Sequence, residues 1–275
     1  MNPPPDPTPA AAQDAPITTL DLRRDGPVAH VYLNRPELRN AFNSAVIAEL
    51  SAAFTALAAD DGVRVVVLGG HGKAFCAGGD LNWMRAMADF SWEQNRADAQ
   101  ALADMLWTIY RCPKPVIGRI HGDCYAGGVG LAAVCDVLVA AEGAHFCLSE
   151  ARIGLLPATI GPYVLRAMGE QASRRYFITA ERLTAAEAHR IGFVQLLAPP
   201  ETLDQRIGAL VAGLLANGPL AVGASKRLVQ DIAGRPIDDA LRADTARRIA
   251  DIRASDEGRE GVAAFLQKRP PGWLG

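Results

Sequence analysis

The chain has 275 residues, 49% of them hydrophobic and 21% charged, so one large domain or two small ones can bury a sizeable core without disulfide staples. Its 28 basic and 30 acidic side chains leave a formal net charge of −2. That balance gives no footprint for nucleic acid or an anionic membrane and leaves a small molecule as the expected partner.

In chain order, "MNPPPDPTPAAAQDAP" (1–16) shows neither the basic and apolar regions of a secretory leader nor the arginine pattern of a transit peptide. It is expected to be a disordered tail. "ITTLDLRR" and "VAHVYLN" predict two strands joined by a turn at Asp25-Gly26-Pro27. "NSAVIAELSAAFTALAAD" has helical apolar spacing at Val46, Leu50, Phe54 and Leu57, with Asn43 or Ser44 as N-cap. "VRVVVLGG" is a β-branched run ending in two glycines, as a buried strand would be.

A second cycle has a helix over about 92–110, the strand "PVIGRI", a glycine loop, a short helix and the strand "DVLVAAE". A third starts at "HFCLSE" and passes through a proline-glycine segment into "YVLRAMG". This recurrence is a weak internal repeat and indicates an α/β fold. From about Pro199 onward, "ETLDQRIGALVAGLLAN", "PLAVGASKRLVQDIAG" and "PIDDALRADTARRIADIRAS" read as helices whose apolar faces need a partner. No apolar run reaches the roughly 20 residues of a membrane span. Five cysteines without a CxxC pair predict free thiols in a reducing, cytoplasmic setting, and five histidines without HxH or HExxH pairing predict no metal.

Three stretches can carry chemistry. In "KAFCAGGDLNWM" (73–84), the small residues Ala77, Gly78 and Gly79 allow close approach of a ligand to backbone, although a plain strand-to-helix turn would look the same. In "HGDCYAGGVGLAAVCD" (121–136), glycines opening a helix leave N–H groups unpaired. One N–H from each loop would make an oxyanion hole. "HFCLSEARIG" (145–154) sets Glu150 between an apolar run and a packed turn, where desolvation would raise its pKa and make it a useful acid or base near neutrality; a solvated glutamate is the bland alternative. A rival reading takes Gly128 to Ala133 as G-x-G-x-x-A and Glu150 as a ribose-binding acid of a dehydrogenase. It leaves the "AGGD" loop without a purpose.

Together and in this order, "LNRPELRNAF", "VRVVVLGGHGKAFCAGGDL", "KPVIGRIHGDCYAGGVGLAAVCDVLVA" and "SEARIGLLP" resemble the blocks of the crotonase, or enoyl-CoA hydratase/isomerase, superfamily. The likeness runs from about Ile17 to Trp273. It implies a spiral core of repeated ββα units (17–199) and a C-terminal helical region (200–275) that packs homotrimers or homohexamers. The substrate implied is an acyl-CoA thioester, with no cofactor beyond the CoA it carries. The resemblance places the two oxyanion donors at Gly79 and Gly127, the CoA path along Ala77, Asp80 and Leu81, and a phosphate contact at Arg39. Hydratases of this kind commonly carry two glutamates; one corresponds to Glu150, and the other position is Gly130.

Hydration needs both activation of water and a proton for the α-carbon, so Glu150 must serve both ends or be helped. Asp123 is the nearest acid in sequence, whereas His121 and His145 are expected to be structural. One glutamate also suits a 3-enoyl-CoA to 2-enoyl-CoA isomerase, and the missing one would suit a non-catalytic acyl-CoA-binding protein. "AGGDLNWM", "GLLPATIGPYV", "RRYFITAERL" and "AGRPIDDALRADTARRIADIR" resemble bacterial methylglutaconyl-CoA hydratases, which favours a hydratase, a hydro-lyase of leucine or related breakdown. Trp83, Met84, Met87 and Tyr163 are candidates for the acyl pocket, with core packing as the plain alternative.

Overall fold

A computed structural model describes residues 18–274; the tail expected over 1–16 lies outside the described residues. Strands β1 (Leu20–Asp25) and β2 (Val28–Leu33) form the expected antiparallel hairpin, with Asp25 opposite Val28 across the turn. Helix α1 (Ser44–Ala59) is capped by Asn43, whose side chain accepts the Val46 N–H at 2.9 Å, and it buries Val46, Ile47, Leu50 and Phe54.

Three repeats then follow, each with a strand, a second shorter strand and a helical segment. The first is β3 (Val65–Gly70) and β4 (Ala74–Cys76), followed by α2 (Leu81–Met87) and α3 (Trp92–Arg111). The second is β5 (Val116–Ile120), β6 (Asp123–Tyr125) and α4 (Gly127–Ala133). The third is β7 (Val137–Ala141), β8 (His145–Cys147) and α5 (Gly161–Met168). Beyond them lie α6 (Glu170–Thr179), β9 (Leu183–Thr184), α7 (Ala185–Arg190) and β10 (Leu196–Ala198).

The first strand of every repeat joins one sheet, ordered β1-β2-β3-β5-β7-β10 and parallel from β2 onward. The second strand joins another, ordered β4-β6-β8-β9, in which β4, β6 and β8 are parallel. This is the expected α/β succession of ββα units. The short strands β4 and β6 lie inside stretches that, in the sequence alone, read as glycine loops.

Strand β3 explains why "VVVLGG" carries no polar alternation. Val66 and Leu68 enter the main core with Phe42, Phe54, Phe75 and Leu106, while Val65 and Val67 pack on the opposite face with Ile117, Val139, Leu203 and Ile207. That second face is covered by α8 (Leu203–Leu215), the first C-terminal helix. Helices α9 (Pro219–Ile232), α10 (Asp239–Ala254) and α11 (Asp256–Gln267) complete the chain, and Val229, Ile249, Val262, Phe265 and Leu266 on them stay exposed. Lys226 of α9 holds the region to the core through Asp136 at 2.7 Å and the Lys114 carbonyl at 3.1 Å. All five cysteines are free, and no single helix among the described residues is long and apolar enough to cross a membrane.

Leu68 is fully buried between the sheets, so Leu68→Ala is expected to lower the unfolding free energy by about 2–5 kcal/mol. The measurement is a denaturant midpoint that falls at unchanged slope.

Candidate active site

Parallel alignment of β4, β6 and β8 sends their carboxyl ends to the same edge of the small sheet. Cys124 pairs with Cys76 on one side and Phe146 on the other, and Tyr125 pairs with Cys147. Gly79 follows β4, Gly127 follows β6 and Glu150 follows β8, each within a few residues of its strand. With neighbouring strands about 4.8 Å apart, the three candidates from the sequence are brought together.

Gly79 forms an isolated parallel bridge with Phe42. The Phe42 N–H donates to Gly78 O at 2.7 Å, and the Asp80 N–H donates to Phe42 O at 2.8 Å. Those bonds engage the residues on either side of Gly79, so its own N–H points the other way and has no partner among the described residues. Gly78 has φ +93°, and a Cβ there would stand 2.9 Å from Ala126 Cβ, so only glycine lets the first loop close on the second.

In the second loop, Ala126 has φ 48° and ψ −120°, sparsely populated for an L-residue and worth about 1–3 kcal/mol of strain. Its N–H is held by Cys147 O at 2.8 Å. Gly127 opens α4, and its N–H also lacks a partner among the described residues. A Cβ at Gly127 would come within 2.9 Å of the Phe42 ring. Two unpaired N–H groups on adjoining loops can together receive an anionic oxygen.

Behind the first loop lies a polar brace that sequence reasoning missed. Arg35 bonds Asp80 Oδ2 at 2.8 Å and Ala41 O at 2.7 Å, and Asp80 Oδ1 caps α2 by accepting the Asn82 N–H at 2.8 Å. Buried Asn40 bonds the His71 and Ala74 carbonyls, both at 2.8 Å, and accepts the Arg35 N–H at 2.9 Å. Burial works against the Asp80 charge, yet the Arg35 guanidinium and the α2 N–H groups outweigh it and hold the carboxyl below its ordinary range. Asp80, expected as a backbone contact to CoA, has its N–H engaged by Phe42 O and its carbonyl engaged by the Met84 N–H at 2.8 Å. Its side chain belongs to the brace. The signal for it was in "LNRPELRNAF", where Arg35 and Asn40 stand beside Phe42.

Glu150 opens a short 3₁₀ turn, Glu150–Ile153. Its Oε2 is buried with no hydrogen-bond partner, and burial pushes the carboxyl above its usual value. At Gly130, a Cβ would meet Ile160 Cγ2 at 2.1 Å, so an isoleucine fills the space where a second carboxylate was considered. Asp123 is not brought to Glu150: it begins β6, at the far end of that strand from Gly127, and lies 3.8 Å from His145 and 3.6 Å from Arg182. His121 bonds Gly72 O at 3.1 Å and its pKa is pushed down by burial, in keeping with a structural role.

Of the remaining candidates, Met84 and Trp83 lie against Gly79, 3.4 and 3.8 Å from where a Cβ would stand, and Trp83 Nε1 donates to Asp98 at 3.1 Å. Tyr163 packs on Tyr110 at 5.3 Å between ring centroids, and Met87 is half-buried on α2. Ala77 gives its N–H to Arg39 O at 3.0 Å, Leu81 is 70% exposed, and the exposed Arg39 side chain has no partner among the described residues. No group of three or more His, Cys, Asp or Glu side chains that could hold a metal ion occurs among the described residues.

A sequence profile of the enoyl-CoA hydratase/isomerase family matches residues 23–275. A crystal structure of an enoyl-CoA hydratase from Shewanella pealeana is 38% identical, covers 94% of this chain and 96% of its own, and superposes with a TM-score of 0.91. The 2,3-dehydroadipyl-CoA hydratase of Escherichia coli is 32% identical over 94% of this chain and 100% of its own length. The crotonyl-CoA hydratase of Syntrophomonas wolfei is 31% identical over 92% and 96%. The chain belongs to the enoyl-CoA hydratase/isomerase family, and it is an enzyme of that family with the crotonase fold.

Arg35→Met strands a buried carboxylate and is expected to cost about 3–5 kcal/mol of stability at neutral pH. Because the folded pKa of Asp80 is depressed, the stabilisation is present above its unfolded value and is lost as pH falls through the folded value. The stability gap between wild type and Asp80→Asn should therefore shrink in acid, which unfolding curves at several pH values will show.

Proposed function

We propose that this enzyme hydrates 2-enoyl-CoA thioesters through an enolate held by the Gly79 and Gly127 N–H groups, with Glu150 as its acid and base. The observation that carries the reading is two unpaired N–H groups and one desolvated carboxyl with an unpartnered oxygen at a single sheet edge. Glu150 takes a proton from water as the water oxygen bonds to the β-carbon. The π electrons move onto the thioester oxygen, where the two N–H groups oppose the growing charge. Glu150 then returns the proton to the α-carbon and the thioester re-forms, so one water is added and the carboxylate is regenerated.

The acyl group proposed is 3-methylglutaconyl, on the branch likeness noted above; the Escherichia coli relative, whose name specifies an acyl chain with a distal carboxylate, supports a carboxylated substrate. Trp83 and Met84 would flank that chain beside Gly79. Arg39, Ala77, Asp80 and Leu81 are proposed along the CoA path. Exposed Val229, Val262, Phe265 and Leu266 support assembly through the C-terminal helices as a homotrimer or homohexamer. The lone Glu150 carboxyl, with Ile160 filling the space over Gly130, favours a second reading, the 3-enoyl-CoA to 2-enoyl-CoA isomerase, in which Glu150 carries one proton between two carbons.

Glu150→Gln is expected to retain acyl-CoA binding and to lose about 10²–10⁴-fold in turnover. Product masses from 3-methylglutaconyl-CoA and a 3-enoyl-CoA separate the readings, because hydration adds one water and isomerisation adds nothing. Unimpaired hydration by the variant would sink the assignment.

The raised pKa of Glu150 has two pH consequences. Turnover that needs the carboxylate should fall in acid with a midpoint above the ordinary glutamate value of about 4.3. Folded Glu150 favours its protonated form, so its contribution to stability is full below the unfolded pKa and lost as pH rises through the folded one. Glu150→Gln should thus melt above wild type at neutral pH, a gain that fades in acid.

A further inference from the structure

Helix α2 leaves the first donor loop without burying any of its residues. Trp83 on it is nevertheless held at both ends. Its backbone N–H donates to Asp80 Oδ1 at 3.4 Å, and its indole Nε1 donates to Asp98 Oδ1 at 3.1 Å. Between those ties the indole lies against the donor loop, with Cε3 3.8 Å from where a Cβ on Gly79 would stand. Asp98 is set apart on α3: over 92–101 every residue of that helix is exposed except this one, which is half-buried. It heads the stripe continued by Leu102, Met105, Leu106 and Ile109, which pack in or against the main core. Burial pushes the Asp98 carboxyl above its ordinary range, while the Trp83 N–H works the other way. An apolar side chain would suit packing at the head of that stripe; what a carboxyl adds is an acceptor for the indole.

We propose that Asp98 is a positioning residue for the reaction: it fixes the Trp83 indole as a wall beside Gly79, against which the enoyl group rests while the thioester oxygen meets the donor N–H groups. The proposal rests on the reading of Gly79, Gly127 and Glu150 given above and adds the group that keeps α2 on the site. Arg35, Asp80, Trp83 and Asp98 then form one chain of hydrogen bonds from the segment after β2 to α3. Asp98 acts through Trp83 and touches no reacting atom. Misplacing a reacting group by about 1 Å can cost about 10²-fold in rate. A Trp83 ring released from Asp98 therefore lowers kcat more than it weakens binding.

The test compares wild type, Asp98→Ala, Asp98→Asn, Trp83→Phe and the double variant Asp98→Ala/Trp83→Phe. Each is assayed for kcat and KM on crotonyl-CoA and 3-methylglutaconyl-CoA, for the Kd of unreactive butyryl-CoA, and for the pH profile of kcat/KM. Asp98→Ala and Trp83→Phe should each lower kcat about tenfold per folded enzyme while the butyryl-CoA Kd stays within about threefold of wild type. The double variant should be no slower than the slower single one, because both substitutions remove the same bond. Asp98→Asn keeps an oxygen that accepts the indole N–H, so its kcat should return to within about twofold of wild type with the pH profile unmoved. Unchanged kcat in Asp98→Ala, or losses that multiply in the double variant, would overturn the positioning role. So would Asp98→Asn as slow as Asp98→Ala; an ionisation missing from its pH profile would then make Asp98 a reacting acid. Wild type that consumes neither thioester would instead overturn the reading of the site on which the role of Asp98 depends.

Discussion

Phe42 carries the constraint on which both glycine loops depend. Its backbone forms the bridge that engages Gly78 O and the Asp80 N–H, and strand alternation then turns the Gly79 N–H outward. Its ring lies where a side chain on Gly127 would otherwise be. The backbone at Ala126 stores about 1–3 kcal/mol of strain. Such a state persists because the surroundings over-determine it: the Gly78 to Ala126 contact locks one loop on the other, and the large sheet beneath them is packed on both faces.

Two carboxylates near this edge are treated in opposite ways. Asp80 is buried but faces a guanidinium and the first N–H groups of α2, so its charge is compensated and its pKa falls. Glu150 is desolvated with one oxygen unpartnered, so its pKa rises. The first arrangement fixes backbone; the second leaves a group whose protonation can change during a reaction. Opposed environments for like groups are what acid–base chemistry requires. The apolar filling at Gly130 sharpens the contrast, since it leaves no room for another acid on that helix face.

The C-terminal helices play two parts. Helix α8 supplies the cover for the outer face of the large sheet, and Lys226 and the Arg111–Asp231–Arg248 cluster hold the later helices to the core. The same helices expose large apolar side chains that this chain does not cover, which supports the proposed assembly.

The sequence by itself determined the α/β succession, the hairpin, the helix capped at Asn43 or Ser44, and the three stretches around Gly79, Gly127 and Glu150. Those are local signals: β-branched runs, helical spacing and glycines where side chains are barred. It did not reveal β4 and β6, whose three residues are too short to carry a period, nor α11, whose apolar residues form one run, Val262 to Leu266, without helical spacing. Only the tertiary structure decided that Arg35 and Asn40 brace the first loop, that Asp123 is drawn away to His145 and Arg182, and that Ile160 fills the space at Gly130. Each of those joins residues from separate repeats or from distant parts of the chain. Which groups meet there is set by sheet register and packing, and no spacing within one segment encodes it.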